Sequence, residues 1–418
     1  MKKVGLLVLT LVLAIGIVSL GETITLNFMQ VLTSPQRTAW WEQVIKDFEA
    51  LNPNIKINLI SPPYEQADNK LTTMLMGKQP LDIIEVRDYT IKQLVDNGWL
   101  TNLTPYIATW SASKTLIPLA WQAAKTVNNT PYMIPQSFFV KALFVRTDIL
   151  AKYGINPNDL KTWQDVLDAC QKLYNPSKNQ YGWDNRGRNS PFIFPDTLAT
   201  SFVENANPDN LYILPNGQTI FTSPQYKAGW EMYIKLFKTS PQDSINWGFD
   251  SQVNSFVSGV TPILMQDPDT VGLLNTMLDK DQYTVVPLPV GPTGKAYPNY
   301  GFNGLGIVSY SQHKEAAWKF IAYVSSPEVN AWFNKNYGPL PISSVTYEND
   351  PYFSTGVYSA WAYMMKHPEK YIFSNYPFNS PKWPGWPSIQ QADMQSLLLG
   401  NISLDAVLAK WNNYWSSK

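Results

Sequence analysis

Apolar positions alternate between two periods along the first hundred residues. A two-residue period predicts a strand over 23–29. Ser34-Pro35 then supplies a capping hydroxyl followed by proline at the first helical position. Trp41, Val44, Ile45, Phe48 and Leu51 follow at the spacing of one helix face, until Asn52-Pro53 stops it. Ile55, Ile57 and Leu59 alternate as a second strand. Leu71, Met74 and Leu75 mark a helix ended by Gly77, 81–86 a short strand, and Ile91, Leu94 and Val95 a helix ended by Gly98. Strands alternating with helices predict an α/β domain around a parallel sheet covered on both faces.

A second α/β region begins with a strand over 142–146. Thr162 and Asp165 form a capping box for a helix that faces inward with Trp163, Val166, Leu167, Cys170 and Leu173. Ser223-Pro224 starts another helix. A short helix over 251–258 ends at Gly259, a strand covers 261–265, and an extended run covers 285–290. A strand over 305–309 precedes a helix carrying Ala316, Ala317, Phe320, Ile321 and Val324. The chain from 361 to 414 reads as helical, apart from a Pro/Trp-rich stretch over 376–387. A length of 418 residues predicts two domains of ordinary size.

Residues 1–21 have the form of a secretory signal: Lys2 and Lys3, an apolar run, then Ser19 and Gly21 at the positions a signal peptidase requires. An uncleaved membrane anchor is the alternative, since the run approaches the length needed to span a bilayer. The expected location is periplasmic or extracellular. Only 15% of residues are charged and the net charge is zero, which leaves no electrostatic footprint for nucleic acid or an acidic membrane. A single cysteine, Cys170, excludes an intrachain disulfide. With two histidines and no cluster of metal-ligand spacing, no catalytic residue, metal or cofactor is expected. Phosphate-loop, dinucleotide and serine-elbow patterns are all missing. Aromatics reach 14%, more than a core alone requires.

The order of segments resembles the bacterial extracellular solute-binding proteins of the maltose-binding type, the sugar-binding components of ABC importers. The resemblance is carried by WWEQVIKDFEALNPNIKINL, by KLTTMLMGKQPLDIIEVRDYTIKQLVDNGWLTNLTPYI and by YMIPQSFFVKALFVRTDILAKYGINPNDLKTWQDVLDACQKL. It continues through VNSFVSGVTPILMQDPD, the long block from Val285 to Phe333, and LLLGNISLDAVLAKWNNYW. No single block is specific, but the ordered set is. There are departures: Asp267 stands where the family usually has glycine, Asp269 where it often has an aromatic, and the hinge strand carries Gln136 and Lys141 in place of an acidic or aromatic pair.

The resemblance implies a periplasmic-binding-protein-like fold (type II) with two lobes and a multi-crossover hinge. Residues 22–136 and 301–342 would form the N-terminal lobe, and 137–300 and 343–418 the C-terminal lobe. It implies a monomer that closes on a carbohydrate, with a polyol or sugar acid also open, and delivers it to the importer's permease subunits. Gln30, Arg87, Asp88, Asp267, Asp269 and Asn303 at strand ends, Glu65 before the second helix and Gln136 at the hinge would hydrogen-bond the ligand. Trp183, Trp247, Trp383 and Trp386 would offer aromatic faces to sugar rings. For each, a structural role competes: Asp88 as a helix cap, Glu65 as surface, each Trp as core. Arg87, Lys141, Arg186 and Arg188 could face a carboxylate or stay solvated. The competing functions are a secreted glycoside-active enzyme (hydrolase or lyase), since paired carboxylates need no motif, and an adhesion module.

Overall fold

The computed structural model describes residues 23–189 and 191–417. The signal expected over 1–21, with cleavage after Gly21, lies outside the described residues.

Two sheets organise the chain. In the first, β1 (Ile24–Met29) pairs in parallel with β2 (Ile55–Ile60) along its whole length and with β3 (Ile83–Arg87) at its end. β4 (Ile134–Val140) forms the far edge. In the second, β5 (Ala142–Val145) lies between β7 (Ile263–Gln266) and β8 (Thr284–Val286), with the two-residue β6 (Trp183–Asp184) outside β7. β9 (Tyr300–Ile307) returns to the first sheet and inserts between β3 and β4.

The expected parallel pairing holds for β1, β2 and β3, and later strands depart from it. β9 runs antiparallel to both neighbours, and β5 runs antiparallel to β7 and β8. The reason is connectivity: β4 leaves the first sheet at the end facing the second, and β5 and β9 each enter their sheet from the end facing the other. Lys141 is the only residue between β4 and β5. β4 stays paired to β9 as far as Val140, opposite Tyr300, so the first sheet continues past residue 136. A third passage follows the helix Pro327–Tyr337: Leu340 bridges back to Phe138, and Leu116 bridges to Ser343.

Local chemistry sets the helices. Ser34 caps Pro35–Leu51 through the Arg37 N–H, and Thr162 and Asp165 make the expected capping box on Trp163–Leu173. The main core runs through both sheets. A second core is rich in aromatics, including Tyr212, Phe221, Trp230, Trp383, Trp386, Trp411 and Trp415. Each such ring removes roughly 150–250 Å² from water. Much of the aromatic surplus is therefore structural.

Candidate ligand-binding cleft

The ends of β1 and β3 and the start of β9 lie at one edge of the first sheet. They carry Gln30, Arg87-Asp88-Tyr89 and Gly301–Asn303. The facing edge of the second sheet carries Lys141, Asn185-Arg186 and Asp267-Pro268-Asp269.

Behind the first edge lies a closed polar network. Glu85, fully buried in β3, accepts the N–H groups of Val31 and Leu32 at 2.8 Å each and the Asn303 side-chain amide at 2.6 Å, and pairs with Arg37. Burial alone would raise its carboxyl. The Arg37 guanidinium and these hydrogen bonds outweigh it and hold Glu85 below the usual range. Arg37 rests 5.0–5.6 Å from the ring centres of Tyr337, Phe333 and Trp41 and donates to Leu32 and Gln30.

In front of this network lies the rim. Arg87 is stacked between Tyr64 and Tyr89, at 5.0 and 5.6 Å from the ring centres. It bonds the Tyr89 hydroxyl and the Val31 carbonyl and lies 3.4 Å from Asp68. The two tyrosines stay 50% and 43% exposed. Asp88 is half-buried, accepts the Tyr89 N–H at 2.8 Å and lies against Gly301, where a Cβ would come within 3.1 Å of its Oδ2. Burial first, then the charge of Asp267 from the other sheet, pushes Asp88 up to about 7, against its backbone bonds and Arg87. Asp88 on the first edge thus lies near enough to Asp267 on the second to feel its charge.

On the second edge, Lys141 pairs with Asp267, and Lys141 and Arg186 both lie over Phe194, at 5.3 and 5.7 Å. Asp269 is pushed up to about 7 by burial and by Asp267, against Lys141, the Thr270 N–H and Arg186. Its Oδ1 is buried without a partner. Burial lowers the Arg186 guanidinium, against the charges of Asp267, Tyr64, Asp269 and Asp250.

The expected contacts divide. Arg87, Asp88, Asp267 and Asp269 gather at the facing rims, and Glu65 lies exposed in the first turn of the helix Tyr64–Met76. Gln30 and Asn303 sit one layer back at 0% exposure; Gln30 spends its amide on Thr38, Ser61 and Arg37. Gln136 is corrected: it points into the first lobe, bonding Ser325 and the Ile134 carbonyl. Trp183, Trp383 and Trp386 are corrected as well. Trp183 is fully buried against Trp163 and Tyr233. Trp383 and Trp386 belong to the aromatic core, where the Trp386 N–H bonds the Tyr212 hydroxyl. Trp247 is half-buried, and its carbonyl holds the Gly187 and Arg188 N–H groups beside Arg186. Arg37, Glu85, Tyr64 and Tyr89 escaped the sequence reading. Of these, Glu85 left a signal: a carboxylate inside an otherwise apolar strand.

Two α/β units joined by several crossovers, with charged rims facing each other, define a hinged solute-binding protein. The chain belongs to the bacterial extracellular solute-binding protein family, whose model matches residues 33–331. A Brucella abortus (strain 2308) protein named only as a binding protein is 24% identical over 381 residues, covering 88% of this chain and 87% of its own length. The arabinooligosaccharide-binding protein of Bacillus subtilis (strain 168) is 23% identical, covering 72% of this chain and 70% of its own. A solute-binding protein of an ABC transporter from Thermotoga lettingae TMO, solved with alpha-D-tagatose, superposes with a TM-score of 0.78 at 20% identity, over 94% of this chain and 99% of that one. The fold is that of the maltose-binding type, as the superposition on a maltose-bound MalE3 of T. maritima shows (TM-score 0.78, 19% identity, 94% of this chain and 100% of that one).

Proposed function

We propose that this chain captures a sugar or oligosaccharide outside the cytoplasm by closing its lobes, and presents it to the membrane permease of an ABC importer. Residues 1–21 act as the export signal, and the mature chain works as a monomer. The lobes divide near Lys141 and Tyr300, with the first taking roughly 22–140 and 300–342 and the second the remainder. The observation that carries this reading is the pair of facing rims: Tyr64, Arg87, Asp88 and Tyr89 on one lobe, and Arg186, Asp267 and Asp269 on the other. Carboxylates and guanidinium groups bind the hydroxyl edges of a pyranose, and the half-exposed rings of Tyr64 and Tyr89 suit its apolar face. The named ligands of the B. subtilis and T. lettingae proteins, one an oligosaccharide and one a ketohexose, support the class.

A thermal-shift panel of sugars and polyols tests this. A ligand bound only to the folded state at 100 times its dissociation constant adds about 2.7 kcal/mol of stability. At least one saccharide is expected to raise the melting temperature; no shift with any member would contradict the reading.

A further inference from the structure

Arg186 stands on the short segment 185–189, and four separate ties hold that segment from behind. The fully buried Asn185 accepts the Tyr233 hydroxyl at 2.8 Å and donates to the Ser244 carbonyl at 3.2 Å. The Gly187 and Arg188 N–H groups both donate to the Trp247 carbonyl at 3.0 Å. The backbone here lies flush against the chain over 244–247: a Cβ on Gly187 would come within 1.8 Å of the Ile245 carbonyl oxygen. The other two ties come from one helix, Trp386–Leu398. Gln395 donates through its amide nitrogen to the Gly187 carbonyl at 2.9 Å and to the Ile245 carbonyl at 3.2 Å. Gln391 accepts the Asn189 N–H at 3.2 Å. Gln395 therefore pins 185–189 and 244–247 to one another, and both to the helix.

That helix is itself fixed. Gln390 donates to both oxygens of the buried Asp196 at 3.0 and 3.1 Å, and Asp196 also accepts the Tyr212 and Tyr226 hydroxyls at 2.7 and 2.6 Å. Asp393 accepts the Trp411 indole N–H at 2.9 Å. The aromatic-rich core is thus the footing of the helix. Gln391 and Gln395, four residues apart on one face, carry its position to the segment that bears Arg186. The last step is short: Arg186 Nε donates to the Arg188 carbonyl at 3.1 Å, and the guanidinium lies 5.7 Å from the Phe194 ring centre.

We infer that Gln395, supported by Gln391, is a positioning residue for the binding rim: it holds the backbone under Arg186 so that the guanidinium is preset for ligand before the lobes close. This rests on the placement of Arg186 at the ligand-binding rim proposed above. A site loosened behind its contacts loses affinity, because the ligand must then order the segment itself.

The test is a double-mutant cycle read by isothermal titration calorimetry on the intact mature chain, with circular dichroism confirming the native fold of each variant. The probe is whichever of glucose, galactose, mannose, arabinose, maltose, cellobiose and their trisaccharides binds the unaltered chain most tightly. Gln395→Met keeps the bulk of the side chain and removes both donors. It should weaken binding about fivefold, the worth of one ordinary hydrogen bond, and Arg186→Ala should weaken it about tenfold. With Arg186→Ala in place, adding Gln395→Met should change affinity by less than about twofold, because the group it positions is gone. Gln391→Met, which removes only the tie to Asn189, should follow the same pattern and decides the matter if Gln395→Met fails to fold. A role in stability alone would lower the melting temperature and leave affinity unchanged. That outcome, or an equal loss of affinity with and without Arg186, overturns the inference and leaves the carbohydrate reading standing. Arg186→Ala binding as tightly as the unaltered chain removes Arg186 from the rim and the inference with it. No binding by any probe overturns both.

Discussion

Glu85 shows how much a single side chain organises here. It is fully buried and ties β1, β3, β9 and the helix Pro35–Leu51 together through Val31, Leu32, Asn303 and Arg37. Removing one partner of a buried pair strands the other's charge. Glu85→Gln should therefore cost about 3–5 kcal/mol in urea unfolding, and Glu85→Gln with Arg37→Met should recover part of that loss. Asp88 and Asp269 behave in the opposite sense. Their carboxyls keep protons up to about pH 7, whereas the unfolded chain sheds them near 3.8. The stability they contribute is complete below the unfolded value and drains away as pH rises to about 7. Between pH 5 and 7.5 the ligand-free protein's melting temperature should fall, and it should fall less in the Asp88→Asn, Asp269→Asn double variant. At this scale the sequence was half readable. Arg87, Asp88, Asp267 and Asp269 follow strand ends, which a one-dimensional pattern can locate. Tyr64 and Tyr89 reach the cleft only because they flank Arg87 in space. Trp183 and Trp386 looked like loop aromatics because their packing partners are distant in sequence.

Among the elements, those with local signals were the readable ones. Ser34, Thr162 and Ser223 cap the helices they were expected to cap. Thr162→Ala should cost about 1 kcal/mol, read by thermal unfolding, without changing ligand affinity. The parallel direction of β1, β2 and β3 was readable from the helices between them, but the antiparallel β9 was not, because apolar alternation is the same whichever way a strand runs. The link between the second lobe and the first has its own constraint. Gly338 ends the helix Pro327–Tyr337 at φ +112°, and a Cβ there would meet the Asp269 backbone at 2.8 Å and the Pro268 carbonyl at 2.9 Å. Gly338→Ala should lower stability by more than about 1 kcal/mol. It should also weaken ligand binding, because the backbone it displaces carries Asp269. Unchanged affinity in the folded variant would place Asp269 outside the site.

On the scale of the molecule, the chain passes between its sheets at Lys141, near Tyr300 and after Gly338. In the proposed reading, a ligand shifts the lobes toward the closed form only through contacts made on both rims at once. The two-lobed class was readable from the ordered set of segments, since the order of strands and helices survives when individual residues do not. Ligand identity was not, because it depends on which side chains the folded rims bring face to face.

Small-angle X-ray scattering of the mature chain, without ligand and saturated with the tightest-binding saccharide, tests lobe closure most directly. A radius of gyration that falls with ligand and saturates at one equivalent is the predicted result. Superimposable profiles, with binding shown independently in the same samples, would contradict it.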